Sequence, residues 1–443
     1  MRKRQVFVVA ISLSMLVCGM VLVAGPMVES LWPSLGGSFQ RAGLSESQGP
    51  LQGQVQWRFE TGGAVVSSVT VGFDGQIHVA CEDGKLYTLN KAGQPLWVAD
   101  VNTPLVGTPT IGPDDSLYVG SKDGRLFAID PNGAERWSAH TDDAIYSAPA
   151  VGPDGSVYIG STDGTLYALD PNGSERWRFA THGPGNLPTG AIFASPSLAA
   201  DGTVYVAGLY DPNLYALDPA DGSIKWVCTF PVNAEESSPG WPYAAPVVGP
   251  DGTIYQTLLY DSHLYAIEPT DGTIRWSVDL CESSFFGPQR ATALGDSGWS
   301  EPVIGPDGTI YVSLDDPYLR AVHPSGVIKW VAGLGGASEV PPTPVGEWGS
   351  SAPSDLGGFT LTVDRAGMVY AAADDGRVYV VSPGSLLLAQ FETGGWPAFP
   401  VVAGDDLLIL ADSQDYSGLN SGQENAVWAI SSQSLSPSGT KRR

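Results

Sequence analysis

Residues 147–177 read SAPAVGPDGSVYIGSTDGTLYALDPNGSERW. Turn signals cut this stretch into four short strands. Ser147–Gly152 is a first strand, and Pro153-Asp154-Gly155 reverses it. Val157–Gly160 comes next, then the Ser161–Gly164 connection and Thr165–Asp170. Pro171-Asn172-Gly173 turns the chain again into Glu175–Phe179, which carries Trp177. Short β-branched and aromatic runs bounded by Gly, Pro, Asp and Asn are the pattern of antiparallel hairpins. We letter the strands A to D.

Trp177 is one of a series. Trp57, Trp97, Trp137 and Trp177 are spaced by 40 residues, and Trp226, Trp276 and Trp330 follow at steps of 49, 50 and 54. A period of about 40–45 residues with four strands per unit marks a β-propeller. Eight inner strands begin near Ser68, Thr108, Ala148, Ser195, Ala245, Glu301, Thr360 and Phe399. The last unit has strands at 399, 407–411 and 426–430 and then runs into a polar tail with no Trp, while Gln54–Glu60 around Trp57 is an outer strand without a unit of its own. The expected fold is all-β: an eight-bladed propeller of four-stranded antiparallel blades, its ring closed by the N-terminal strand, which leaves no exposed sheet edge there. Phe59–Gly63 and Phe391–Gly395 share the sequence FETGG, as a repeat running around the ring would. Unit seven has Leu388 or Ala389 where Trp is expected.

The 443 residues include 55 Gly and 35 Pro, in keeping with several tight turns per unit. Lys plus Arg is 22 against 47 Asp plus Glu, a formal charge of −25. Such a chain is repelled by nucleic acid and by anionic membrane surfaces. The N-terminus differs. Arg2, Lys3 and Arg4 precede an uncharged apolar run from Val6 to about Val28, long enough to span a bilayer at roughly 20 residues. Positive residues stay inside, so the chain beyond the apolar run is exported. A cleaved signal peptide and a retained anchor both fit. The expected organisation is residues 1–28 as signal peptide or anchor, 29–52 as lead-in, 53–432 as propeller and 433–443 as polar tail, a monomer at the cell surface or in the periplasm. Leu16-Val17-Cys18-Gly19 resembles a lipoprotein acylation box, with Val17 where a small residue is usual.

Cys228 and Cys281 come two and five residues after Trp226 and Trp276, near the same edge of successive units. In an oxidising compartment they could pair, and two unrelated buried thiols fit as well. The five histidines show no metal-ligand spacing. The Asp-Gly pairs sit at hairpin turns and lack the alternating acids of a calcium loop. There is no Gly-x-Ser-x-Gly elbow and no phosphate loop, so no catalytic residue is assigned.

Ala216–Trp226 matches the motif Ala-x-Asp-x-x-x-Gly-x-x-x-Trp; Ala266–Trp276 has Glu268 for Asp, and Ala128–Trp137, Ala168–Trp177 and Ala321–Trp330 are one residue shorter in the turn. On these residues the chain resembles the pyrroloquinoline-quinone (PQQ)-type, quinoprotein-like eight-bladed propellers from about residue 32 to 430, and Trp32-Pro33 with Gln40–Gly43 resembles a lead-in of that family. The resemblance implies that each Trp packs between neighbouring blades and that the Ala leaves room for it. It also implies two branches. Quinoprotein dehydrogenases hold the quinone and calcium over the ring axis beside a pair of adjacent cysteines, which this chain lacks. The other branch is cofactor-free and includes a barrel-assembly lipoprotein. The expectation is no cofactor, with PQQ and calcium as the alternative.

Strand direction alternates, so A–B and C–D turns share one face and D–A and B–C loops the other. After Trp177 the second face gains chain in the D–A loops 178–194, 227–244, 277–300 and 331–359 and in the B–C loops near 209–213, 259–263 and 314–318. Long loops on a rigid scaffold are where binding concentrates. They carry Tyr210, Asp211, Trp241, Tyr243, Tyr260, Asp261, Phe285, Phe286, Trp299, Asp315, Asp316, Tyr318 and Trp348, and Glu301 stands at the start of an inner strand. Aromatic area beside carboxylates suits a protein or glycan partner. The expected function is an exported, non-catalytic scaffold that binds such a partner through the loop-rich face of blades four to seven. The alternatives are a PQQ- and calcium-dependent redox protein and an outer-membrane protein assembly factor.

Overall fold

The computed structural model describes residues 43–181, 190–231, 241–259, 261–281, 300–314, 316–334, 360–373, 375–393, 396–397, 400–413 and 425–432. Seven sheets have four antiparallel strands in chain order, spanning 70–100, 110–140, 150–180, 197–229, 247–279, 303–333 and 360–392. We number them blades one to seven. In blade eight, Trp396–Pro397 and Val401–Gly404 both pair with Leu407–Ser413, which pairs with Ala426–Ser431. Gln54–Glu60 lies antiparallel to Ala426–Ser431, with Trp57 opposite Ala429, so the two ends of the chain share one sheet. Eight apolar clusters fill the eight gaps between successive blades, including the gap between blades eight and one, where Val401, Ile409 and Val427 meet Val69, Val79 and Leu89. No helix among the described residues is long and apolar enough to cross a membrane. The segment 1–28 and the tail 433–443 lie outside the described residues.

Register explains the Ala and the Trp. In blade two Tyr118 pairs with Ala128 and Ala128 with Trp137, so the two rings flank a methyl group and meet with centroids 5.8 Å apart. Blades three to six repeat this with Tyr158–Trp177, Tyr205–Trp226, Tyr255–Trp276 and Tyr311–Trp330 at 5.6 to 6.0 Å. The Ala therefore makes room inside its own blade. The next blade offers a carbonyl and a glycine instead. Trp226 Nε1 donates to Pro269 O at 2.8 Å, and its ring lies 2.5 Å from where a Cβ on Gly272 would stand. The pattern runs from Trp57 with Lys91 O and Gly93 to Trp276 with Pro324 O and Gly326. In blade seven Ala389 pairs with Val380, which settles it as the residue in the Trp position; with no ring to accommodate, the Ala position holds the larger Val.

The lead-in is built into the ring. Leu44 forms a parallel bridge with Val363 of the inner strand of blade seven. Ser45 N donates to Val363 O at 2.7 Å, Ser45 Oγ to Val402 O at 3.1 Å, and Thr362 Oγ1 to Gly43 O at 3.2 Å. Elsewhere the equivalent hydroxyls reach the next blade directly, as Thr110 Oγ1 does to Pro149 O at 2.8 Å. Residues 43–45 thus stand between the inner strands of blades seven and eight.

Candidate functional site

The loop-rich face is tied together by backbone hydrogen bonds. On blades one to four the incoming D–A loop is bonded to the B–C hairpin of the blade it enters, as by Glu82 N to Ala64 O, Thr162 N to Ala144 O and Leu209 N to Ala191 O, all at 2.8 to 2.9 Å. Trp241 and Leu259 exchange two such bonds. These ties hold the loops' aromatic side chains on a fixed frame.

Two aromatic groups result. Tyr146, Phe193 and Tyr243 occupy the same repeat position, immediately before the inner strand, on blades three, four and five. Their half-buried rings touch in sequence, Tyr146 to Phe193 at 5.6 Å and Phe193 to Tyr243 at 5.7 Å, the second pair stacked. Beside them Tyr210 meets Trp241 edge-on at 4.6 Å. Tyr210 is 44% exposed and has φ +68°, in the left-handed region that costs a bulky residue on the order of 1–3 kcal/mol. The turn that imposes it is closed by Asp211 N on Gly208 O at 3.1 Å. Trp241 and Tyr243 are two residues apart and join the two groups.

The carboxylates expected beside these rings are engaged inside the blades. Asp211 is fully buried and accepts from Tyr215 Oη at 2.8 Å and Asn213 Nδ2 at 2.6 Å. Asp261 accepts from Tyr265 Oη at 2.7 Å and is 2.6 Å from His263 Nδ1. Burial works against its charge, but these donors outweigh it and hold the carboxyl below its usual range; burial, then Asp261, pushes the Tyr265 phenol up. Both are the repeat's Asp-x-x-x-Tyr clamp, as in Asp163–Tyr167 at 2.7 Å and Asp375–Tyr379 at 2.5 Å. The clamp also holds the start of strand C through the amide two residues on, as in Thr165 N to Asp163 at 2.7 Å. In blade six Arg320 replaces the Tyr. It is 0% exposed, grips Asp316 at 2.8 and 2.5 Å, and donates through Nε to Leu280 O at 2.8 Å. Tyr318 is half-buried, its ring centroid 5.9 Å from the Arg320 guanidinium carbon. Glu301 is half-buried at the start of the inner strand of blade six, the repeat position that Ala148, Ser195 and Ala245 fill in blades three to five.

Tyr260, Phe285, Phe286, Trp299, Asp315 and Trp348 lie outside the described residues. Cys228 and Cys281 lie in different layers: Cys228 between blades four and five, Cys281 at the edge of the layer between five and six. Burial pushes the Cys228 thiol up to about 11. Among the described residues no cluster of His, Cys, Asp and Glu could hold a metal ion. Sequence reasoning missed Tyr146 and Phe193, although their place one residue before a Ser or Ala and three before a Pro matches that of Tyr243.

Comparison with known proteins agrees with this architecture. The family model of outer membrane protein assembly factor BamB matches residues 46–144 and 91–257. No curated protein sequence matches. Among solved structures, BamB from Moraxella catarrhalis is 18% identical with a TM-score of 0.63, covering 86% of this chain and 100% of its own. Quinohemoprotein alcohol dehydrogenase from Comamonas testosteroni is 16% identical with a TM-score of 0.71, covering 91% of this chain and 81% of its own. The computationally designed Ika8 protein is 14% identical with a TM-score of 0.61, covering 86% of this chain and 100% of its own. At these identities the likeness is one of fold, and it extends to a designed protein as readily as to an enzyme. This chain is an eight-bladed propeller of PQQ-type repeats that resembles BamB.

Proposed function

We propose that the protein is an exported, non-catalytic scaffold that docks a protein partner on the loop-rich face, centred on Tyr210 and Trp241. The observation that carries this reading is Tyr210: an exposed aromatic ring held in a strained backbone and braced edge-on by a second aromatic residue. Exposed, rigid aromatic anchors are the side chains that dominate protein interfaces. Strained backbone clusters at ligand-contacting and switch sites. The match of residues 46–257 to an outer membrane assembly factor supports a protein partner in the cell envelope. The apolar, positively flanked N-terminus supports export. The proposed centre lies on blades four and five, within the face of blades four to seven, and is aromatic rather than acidic, because Asp211, Asp261 and Asp316 are engaged within their blades. A photo-reactive amino acid at Tyr210 or Trp241 tests this. It cross-links one discrete protein species in the native envelope, and the same group at Asn172, in a C–D turn of the opposite face, does not. Equal cross-linking from both faces contradicts the proposal.

A further inference from the structure

The arc formed by Tyr146, Phe193 and Tyr243 has a different character from the Tyr210–Trp241 pair. It is a row of three touching rings, half-buried, at one repeat position on three successive inner strands. A buried polar side chain lies behind its blade-five end. Gln256 is fully buried in strand B of blade five, where blades one, two and three have Val79, Val119 and Ile159. Its Nε2 donates at 2.8 Å to Ala244 O, the carbonyl next to Tyr243, and at 2.8 Å to Thr257 O. Its Oε1 has no hydrogen-bond partner among the described residues. A buried amide oxygen left unpaired costs about 1–3 kcal/mol, so a polar group where an aliphatic residue would pack is a place to look for a ligand.

The charge of the surroundings narrows that ligand. No Lys or Arg occurs in the three arc segments 144–149, 191–196 and 241–246, and the chain carries −25, so an anion is disfavoured. A cation over aromatic faces would want free carboxylates beside them. Asp211 and Asp261 on blades four and five are instead satisfied by Tyr215 and Tyr265, and the exposed Asp142 and Asp143 stand only at the blade-three end of the row. A neutral ligand remains, with apolar ring faces to lie on the arc and hydroxyl or amide donors at its edge for Gln256.

We infer that the Tyr146–Phe193–Tyr243 arc, with Gln256 behind its blade-five end, is a binding site for a neutral oligosaccharide. The sugar rings stack on the aromatic row and one donor on the sugar edge fills Gln256 Oε1. The inference does not require the protein-docking proposal; the two share a face but use different side chains.

The test uses the full-length chain in a detergent without a sugar headgroup, with chitohexaose and cellohexaose as probes and hexa-arginine as the charged control. Saturation-transfer NMR reports contact, and titration gives affinity. At least one hexasaccharide binds with Kd on the order of 0.1–1 mM, as expected for a shallow site. Its affinity does not change in about 0.5 M salt. Phe193→Ala weakens it about tenfold or more, Phe193→Tyr retains it, and Gln256→Leu weakens it severalfold, each variant first shown to unfold at the wild-type midpoint. Should Phe193→Ala fail to fold, Phe193→Leu takes its place. Binding of neither hexasaccharide to the folded wild type overturns the inference, as does binding of hexa-arginine alone, or full affinity in Phe193→Ala. Tyr210→Gly leaves sugar binding within about twofold. Loss of sugar binding with protein cross-linking intact overturns this inference alone, and the reverse overturns the docking proposal alone.

Discussion

The Trp226 ring lies against Gly272 of the next blade, 2.5 Å from where a Cβ there would stand, and its Nε1 donates to Pro269 O in the same turn. One contact fixes both the outer strand of blade four and the C–D turn of blade five. Gly272 also has φ +75°, which an L side chain adopts only with strain. Gly272→Ala must therefore displace the indole as well as bear the backbone strain, at a combined cost of about 2–4 kcal/mol. Urea unfolding measures it. A loss below about 0.5 kcal/mol would show that the ring does not fill that space.

Blade seven offers the converse. Ser385 has φ +71° in the C–D turn, where blades one to six place Gly93, Gly133, Gly173, Gly222, Gly272 and Gly326 at positive φ. Ser385→Gly relieves a strained conformation at a part-buried site and stabilises the protein by about 0.5–1 kcal/mol, read as a higher midpoint in the same titration.

The Asp316–Arg320 pair is an ion pair where blades one, three, four, five and seven have an Asp–Tyr hydrogen bond. Arg320→Met leaves Asp316 charged and buried with its strongest donor gone, and costs about 3–5 kcal/mol. Arg320→Tyr restores the donor the repeat normally uses and recovers most of that loss. Equal stability of the two variants in chemical denaturation would contradict the pairing.

His78 stands in the Tyr position of blade one and Thr88 in the Ala position, and the two are joined at 2.8 Å. Burial, opposed by the weaker field of Asp74, lowers the imidazole to about 4 from 6.5. The folded protein therefore binds its proton less readily than the unfolded chain. The stability this histidine contributes is complete above pH 6.5, falls as pH drops from 6.5 towards 4, and is constant below; the full difference is about 3 kcal/mol. A difference profile between wild type and the double variant His78→Tyr with Thr88→Ala isolates it. A flat difference from pH 7 to 4 contradicts the assignment.

These residues also show what could be read from the chain alone. The propeller was legible because its turn residues and its Trp recur in sequence, and each turn is a local device. The Trp partner was less legible: Pro269 O and Gly272 lie over 40 residues from Trp226, and only the register shows that Ala216 separates Trp226 from Tyr205 within one blade. The lead-in between blades seven and eight was not legible, since its partners Val363 and Val402 lie more than 300 residues away. The site was legible as a face but not in its detail. Asp211, Asp261 and Asp316 looked like a carboxylate surface because the inserted loops hid their equivalence to Asp163 in Asp-Gly-x-x-Tyr. Tyr146 escaped notice because its loop is short, although it is the first ring of the arc.

Tyr210 is the centre of the proposed docking face, with a φ of +68° that is unfavourable for a tyrosine and a ring that is exposed. The most direct measurement is Tyr210→Gly read two ways, by unfolding free energy and by retention of the partner cross-linked at Trp241. Docking through this ring predicts a protein more stable by about 1 kcal/mol that holds its partner about tenfold less well, because the glycine removes strain and anchor together. A variant that keeps the partner at full strength, or loses stability along with it, would contradict docking through Tyr210.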